Sequence, residues 1–190
     1  NTIRIWDKES GKEVKVLEGH KNSVSCLKVA DGKVYSGDYD NTILIWDIES
    51  GKILHTLKGH IDHIKCIELT DEIIFSLSSN CTIYVWERET EELLKTIVDF
   101  TRGISCMREL KGKIYIGCCD GKIRILDSKS EILLKVLKGH DSNVIYLEVL
   151  DGKIISASRD KTIRIWDADS GVELKRLDGH RPDSKFFVSI

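Results

Sequence analysis

Serine, histidine and aspartate recur in this 190-residue chain at one spacing: His20, Ser36 and Asp40, then His140, Ser156 and Asp160. Those three types are the base, the nucleophile and the orienting carboxylate of acyl-transfer enzymes. Two features argue for another role. The trio stands twice at identical offsets, each time followed at the same distance by a tryptophan, Trp46 or Trp166. A nucleophilic serine also needs an exposed oxygen and oxyanion donors. Ser36 is followed by Gly37 but lies in no G-x-S-x-G turn. No titratable cluster stands outside the repeating positions, so an enzyme is the minor alternative and no cofactor is expected.

Six cysteines offer a second chemistry, disulfides or a metal. Cys26, Cys66 and Cys106 share one repeat position, in inner strands expected to fan apart. Cys81 is expected to begin a strand, and Cys118 and Cys119 to lie in a turn. A zinc site needs converging ligands, and no C-x2-C pair is present. The cysteines read as buried thiols acting as small hydrophobes. That usage fits a reducing, cytoplasmic or nuclear setting.

The spacing is the larger signal. Gly-His recurs at 19–20, 59–60, 139–140 and 179–180. The four tryptophans stand at 6, 46, 86 and 166, and Asp40, Asp120 and Asp160 share a column in which Asn80 fills the gap. A period near forty with Gly-His and Trp-Asp marks is the sequence sign of a propeller blade. Within a unit, β-branched runs between Gly, Asp, Ser and Asn clusters predict four short strands. In residues 19–58 these are Val24–Val29, Lys33–Ser36, Thr42–Trp46 and Lys52–Leu57, with a tight hairpin turn at Asp31-Gly32. The connections leave no room for a crossover helix, so each unit is an antiparallel meander. Residues 1–18 make a half blade, and 19–58, 59–98, 99–138 and 139–178 make four whole ones. Residues 179–190 open a further blade, with a strand expected around Lys185–Ile190.

On these residues the chain resembles the WD40-repeat family along essentially its whole length. The resemblance implies an all-β fold: a WD40-type β-propeller of four-stranded antiparallel blades, incomplete at both ends of this chain. It implies a circular scaffold that binds other macromolecules and has no chemistry of its own. Rings of this family more often have seven blades, needing about 280 residues. The favoured reading is therefore one propeller domain that is a fragment of a longer protein, consistent with a sequence that starts inside a strand. A five-bladed ring closed by the first half blade, or assembly between chains through open edge strands, are the alternatives.

The family's frame residues form a buried relay in which an acid holds the Gly-His histidine, the histidine a Ser, and the Ser an indole. Carried onto this chain, the relay is His20, Ser36, Asp40 and Trp46, and His140, Ser156, Asp160 and Trp166. The unit between them keeps His60, Ser76 and Trp86 but has Asn80 in place of the acid, which weakens its link. Residues 99–138 keep Asp120 alone, with Phe100, Ile116 and Leu126 at the other positions. Replacing a whole polar network by apolar groups costs less than losing one member.

Recognition is expected on the face that carries the loops between units and the second-to-third-strand turns. The first column there is Asn22, Asp62, Arg102 and Ser142, the next Ser23, His63, Gly103 and Asn143. The turn column is Tyr39, Ser79, Cys119 and Arg159. These vary while the frame holds, as expected if the frame folds and the rim recognises. Tyr39, Arg102 and Arg159 are the strongest anchors, since aromatic and Arg side chains dominate hot spots. Arg102 and Arg159 together could meet a phosphorylated or acidic peptide. A protein or peptide partner is expected, and self-association if no ring closes within the chain. With 29 basic and 31 acidic residues, nothing builds a field for nucleic acid or an acidic membrane. The apolar runs are all far shorter than a membrane span.

Overall fold

The computed structural model describes residues 1–97 and 103–179. The expected strand around 185–190, the Phe100 position and Arg102 lie outside the described residues. All regular structure among the described residues is β. The chain divides into two compact units, Asn1–Asp99 and Phe100–Ile190.

The first unit opens with a two-stranded sheet, β1 (Thr2–Trp6) and β2 (Glu13–Glu18). A four-stranded sheet follows: β3 (Val24–Ala30), β4 (Lys33–Asp38), β5 (Ile43–Asp47) and β6 (Ile53–Leu57). Then comes a second: β7 (Ile64–Leu69), β8 (Ile73–Ser78), β9 (Ile83–Glu87) and β10 (Leu93–Ile97). The second unit holds two more. One is β11 (Ile104–Leu110), β12 (Lys113–Cys118), β13 (Ile123–Asp127) and β14 (Leu133–Leu137). The other is β15 (Val144–Leu150), β16 (Lys153–Ser158), β17 (Ile163–Asp167) and β18 (Glu173–Leu177). Within every sheet, strands pair antiparallel in chain order. Predicted strand ends fall within two residues of those observed.

The local reasons repeat with the sequence. The Asp-Gly hairpins at Asp31-Gly32 and Asp151-Gly152 have both residues at positive φ, as Lys111-Gly112 does. This is the turn whose twist matches that of the strands it joins. The Asp after Trp6, Trp46 and Trp166 closes the next turn. Asp47 Oδ1 accepts the Ser50 N–H at 2.7 Å, and Asp167 Oδ1 the Ser170 N–H at 2.7 Å. Register shifts fall at one place in each first strand, at Val24/Cys26, Ile64/Cys66, Ile104/Cys106 and Val144/Tyr146. Such bulges increase twist and bend the strand.

Cores lie between neighbouring sheets of a unit. Tyr35, Ile43, Ile45 and Leu57 pack with Ile64, Ile67, Ile74 and Trp86. In the second unit, Tyr115, Ile123 and Ile125 pack with Val144, Leu147 and Trp166. The fit is close enough to require glycine at one point. A Cβ on Gly37 would lie 2.4 Å from Ile64 Cγ2. Polar ties reinforce these seams. Arg88 donates to Tyr35 Oη at 3.2 Å, to Thr70 O at 2.8 Å and to Asp31 Oδ2 at 2.5 Å. The first strands carry one charge each at a shared column, Lys28, Glu68, Arg108 and Glu148, alternating in sign. Lys28 pairs with Glu68 at 2.9 Å, and Arg108 with Glu148 at 3.4 Å.

Candidate functional site

In the β3–β6 sheet the Trp46 indole N–H donates to Ser36 Oγ at 2.7 Å. Ser36 Oγ meets His20 Nε2 at 2.6 Å, and His20 Nδ1–H donates to Asp38 Oδ2 at 2.8 Å. The acid is Asp38, not Asp40 as the sequence column suggests. Asp38 ends β4 two residues beyond Ser36, so both side chains leave the strand on the same buried face. It also accepts the Asp40 and Thr42 N–H groups, both at 3.0 Å. Burial pushes its carboxyl up, but the bonds from Thr42 and His20 outweigh this and hold it below the usual value. Asp40 is exposed in the turn and accepts the Asn22 amide at 3.1 Å.

The β15–β18 sheet reaches the same end with the other acid. Trp166 donates to Ser156 Oγ at 2.8 Å, which meets His140 Nε2 at 2.8 Å. His140 Nδ1–H donates to Asp160 Oδ2 at 2.8 Å. Position 158 is serine here, and Ser158 Oγ–H donates to Ser142 O at 2.8 Å. Asp160 also takes the Thr162 hydroxyl at 2.7 Å and the Asp141 N–H at 3.0 Å. Against the upward push of burial, these bonds hold its carboxyl far below the ordinary range.

The other two sheets depart from this plan. In β7–β10, Trp86 donates to Ser76 Oγ at 2.9 Å, and Ser76 Oγ meets His60 Nε2 at 2.6 Å. The chain stops there: His60 Nδ1 is buried with no hydrogen-bond partner among the described residues. Asn80 serves its own turn, accepting from the Ser78 hydroxyl and from the Thr82 N–H. Tyr84 covers the imidazole instead, with ring centres 3.9 Å apart. Burial pushes the His60 pKa down to about 4. In β11–β14, buried Ile116 and Leu126 replace Ser and Trp. Asp120 there grips Arg124, with Nη1–Oδ1 at 3.1 Å and Nη2–Oδ2 at 2.9 Å. The sequence reading missed Arg124; its signal was a basic residue four positions after the surviving acid.

These arrangements answer the chemical question raised by the residue types. Ser36, Ser76 and Ser156 are fully buried, and each oxygen already accepts an indole N–H. None can present a nucleophile to a substrate. The cysteines are all free thiols. Cys118 ends β12 and is buried, not in a turn, while Cys81 occupies the turn before β9 at φ 65° and does not begin the strand. Burial pushes the Cys26 thiol up to about 11 and the Cys106 thiol up to about 12. Both are thereby kept as unreactive thiols. Among the described residues, no group of three or more His, Cys, Asp or Glu is placed to hold a metal ion.

The frame also joins the rim columns. The Tyr39 N–H donates to Ser23 O at 3.1 Å, and Ser79 to His63 O at 2.8 Å. Likewise Cys119 donates to Gly103 O at 3.0 Å, and Arg159 to Asn143 O at 2.9 Å. Each sheet thus sets its turn residue beside its loop residue. In the first unit the columns also meet between neighbouring sheets. His63 Nδ1–H donates to Tyr39 O at 3.0 Å, and the two rings meet edge to face at 4.8 Å. Asp62 accepts the His63 N–H at 2.8 Å. A cavity of about 670 Å³ opens beside this cluster. In the second unit Arg159 is exposed, and its guanidinium makes no ion pair among the described residues. Asn143 is half-buried, and Cys119 is exposed with Sγ 3.2 Å from Ser105 Oγ.

Residues 60–166 match the family described as the IP5P C-F beta-propeller, and residues 11–47 match the WD domain, G-beta repeat. A stretch of 40 residues is 45% identical to mitochondrial division protein 1 of Aspergillus clavatus, covering 21% of this chain and 6% of that protein. Among solved structures, the computationally designed Ika8 protein is 31% identical with a TM-score of 0.80. The match covers 94% of this chain and 56% of that one. The structure of U3-55K is 25% identical with a TM-score of 0.80, covering 88% of this chain and 55% of that one. The chain therefore spans little more than half the length of the structures it matches, and a small part of the curated relative.

Proposed function

Since the chain belongs to the WD40-repeat β-propeller family, we propose that it serves as a protein–protein interaction scaffold, holding variable rim side chains on a constant frame. One observation carries this reading. The same backbone bond joins the turn and loop columns in all four full sheets, while the side chains it sets side by side differ every time. A constant bond beneath changing side chains is what recognition on a rigid support requires. The buried serines remove the main chemical competitor. The six free thiols support a reducing cytoplasmic or nuclear setting.

The experiment is site-specific photo-crosslinking in the intact protein inside its native cell. Probes at Tyr39 and Arg159 are expected to trap a discrete partner. A probe at Lys52, on the outer strand side, should trap little. Equal trapping at all three positions, or none at Tyr39 and Arg159, would overturn the rim as the binding face.

A further inference from the structure

The cavity beside Tyr39 has a chemistry of its own, and it follows from where the relay acid sits. In the Asp column, Asp160 is consumed by His140, Thr162 and the Asp141 N–H, and Asp120 by Arg124. Asn80 is consumed by Ser78 and Thr82. In the β3–β6 sheet, Asp38 does that work, so Asp40 is released. Asp40 is exposed, accepts only the Asn22 amide among the described residues, and lines the cavity.

The other walls add acceptors and an aromatic face. Asp62 lines the same space, as does Asn41, whose buried Oδ1 has no partner among the described residues. Tyr39 is 46% exposed. His63 holds it edge to face, and because His63 spends its Nδ1–H on the Tyr39 carbonyl, its Nε2 is an acceptor when the ring is neutral. Leu44, Ile53 and Ile61 provide an apolar flank, with Ile61 78% exposed. Two carboxylates, an unmatched amide oxygen and an imidazole nitrogen call for a ligand made of donors. The aromatic ring and aliphatic flank call for a flat cationic head on an apolar stem.

We propose that this cavity receives an arginine side chain from a peptide segment of the protein partner. The inference rests on the scaffold reading and names the chemistry of the partner at one part of the rim. A guanidinium presents five donors in a plane, stacks on a phenol face, and takes carboxylates at more than one edge. An ammonium is a more strongly hydrated point charge and satisfies fewer of these groups at once. Lys21 and Lys58 also line the cavity. They are exposed and flexible in their stems, and they fit acidic residues flanking the arginine. A phosphopeptide held by those two lysines is the rival outcome.

The test uses the intact protein, isotope-labelled for NMR, with a capped Gly-Ser-Arg-Ser-Gly peptide. Matched peptides carry lysine, neutral citrulline or phosphoserine at the central position. The arginine peptide is expected to shift the amides of Tyr39, Asp40 and His63, with lysine weaker and citrulline silent. Asp40→Asn and Tyr39→Ala are each expected to weaken the arginine peptide by about five- to tenfold. Both should leave the melting temperature in place. Lys21→Glu is expected to strengthen it. Equal binding of citrulline, stronger binding of phosphoserine, shifts that map elsewhere, or an Asp40→Asn variant that binds normally would each overturn the proposal. If crosslinks at Tyr39 and Arg159 persist while the arginine peptide fails, the scaffold reading stands and this inference alone falls.

Discussion

Two aspartates two residues apart, Asp38 and Asp40, have opposite fates. Asp38 is buried beneath His20 and three further donor contacts, while Asp40 faces water. Asp38→Asn is expected to cost about 2–3 kcal/mol in urea unfolding, by weakening charge-assisted bonds inside the fold. Asp40→Asn should stay within about 0.5 kcal/mol. Asp160→Ala, in the sheet where that column does carry the relay, is expected to cost about 3 kcal/mol by stranding the buried His140. Asn80→Asp tests the converse. It offers His60 Nδ1 the acceptor that His140 enjoys, and is expected to raise stability by about 1 kcal/mol at neutral pH. The sequence showed the histidines, serines and tryptophans of the relay because each holds one column. It did not show which acid closes the link in β3–β6, because that depends on which face a strand-end side chain leaves by. The doubled acid in SGDYDNT was the available clue. Arg124 escaped notice because its column is mixed, Arg4, Leu44, Tyr84, Arg124 and Arg164, and lies outside the family's relay positions.

Strands and turns were more legible than sites, because β-branched runs and the Gly, Asp, Ser and Asn clusters between them are written locally. What was not legible is how sheets lock together, since that depends on contacts some forty residues apart. Gly37 is one such lock. Gly37→Ala would set a methyl 2.4 Å from Ile64 Cγ2 and 2.6 Å from Ile64 Cβ, so the neighbouring strand must shift to admit it. It is expected to cost about 2 kcal/mol, read by thermal unfolding. Arg88 is another. Its guanidinium joins the β8–β9 sheet to the Asp31 hairpin and lies 5.6 Å from the Tyr35 ring. Arg88→Ala is expected to cost about 1–3 kcal/mol by leaving Thr70 O and Tyr35 Oη without their donor. If it melts like the parent, the tie contributes nothing to the seam.

Across the whole chain, acid is expected to act in two stages. His60 is held neutral down to about 4, against an ordinary value of 6.5. Between those values the unfolded chain binds a proton that the folded chain refuses, so stability falls as pH drops through this window. The loss is on the order of 3 kcal/mol by pH 4. His140 is also pushed down by burial and acts in the same direction. Asp38 and Asp160 act later: held below their ordinary 3.8, they stabilise the fold above that value and lose their contribution as pH falls below it. Urea unfolding between pH 7 and about 4.5 checks the first stage, which should shrink in His60→Gln. The charges on the first strands bear on a different hazard of near-identical repeats, which is mispairing while the chain collapses. Lys28 and Arg108 share a sign, and so do Glu68 and Glu148. A repeat that skipped its sequence neighbour would press like against like, whereas one that waited would find its opposite. The chain therefore carries an assembly order in a single column, and erasing the alternation should favour swapped and aggregated products during refolding.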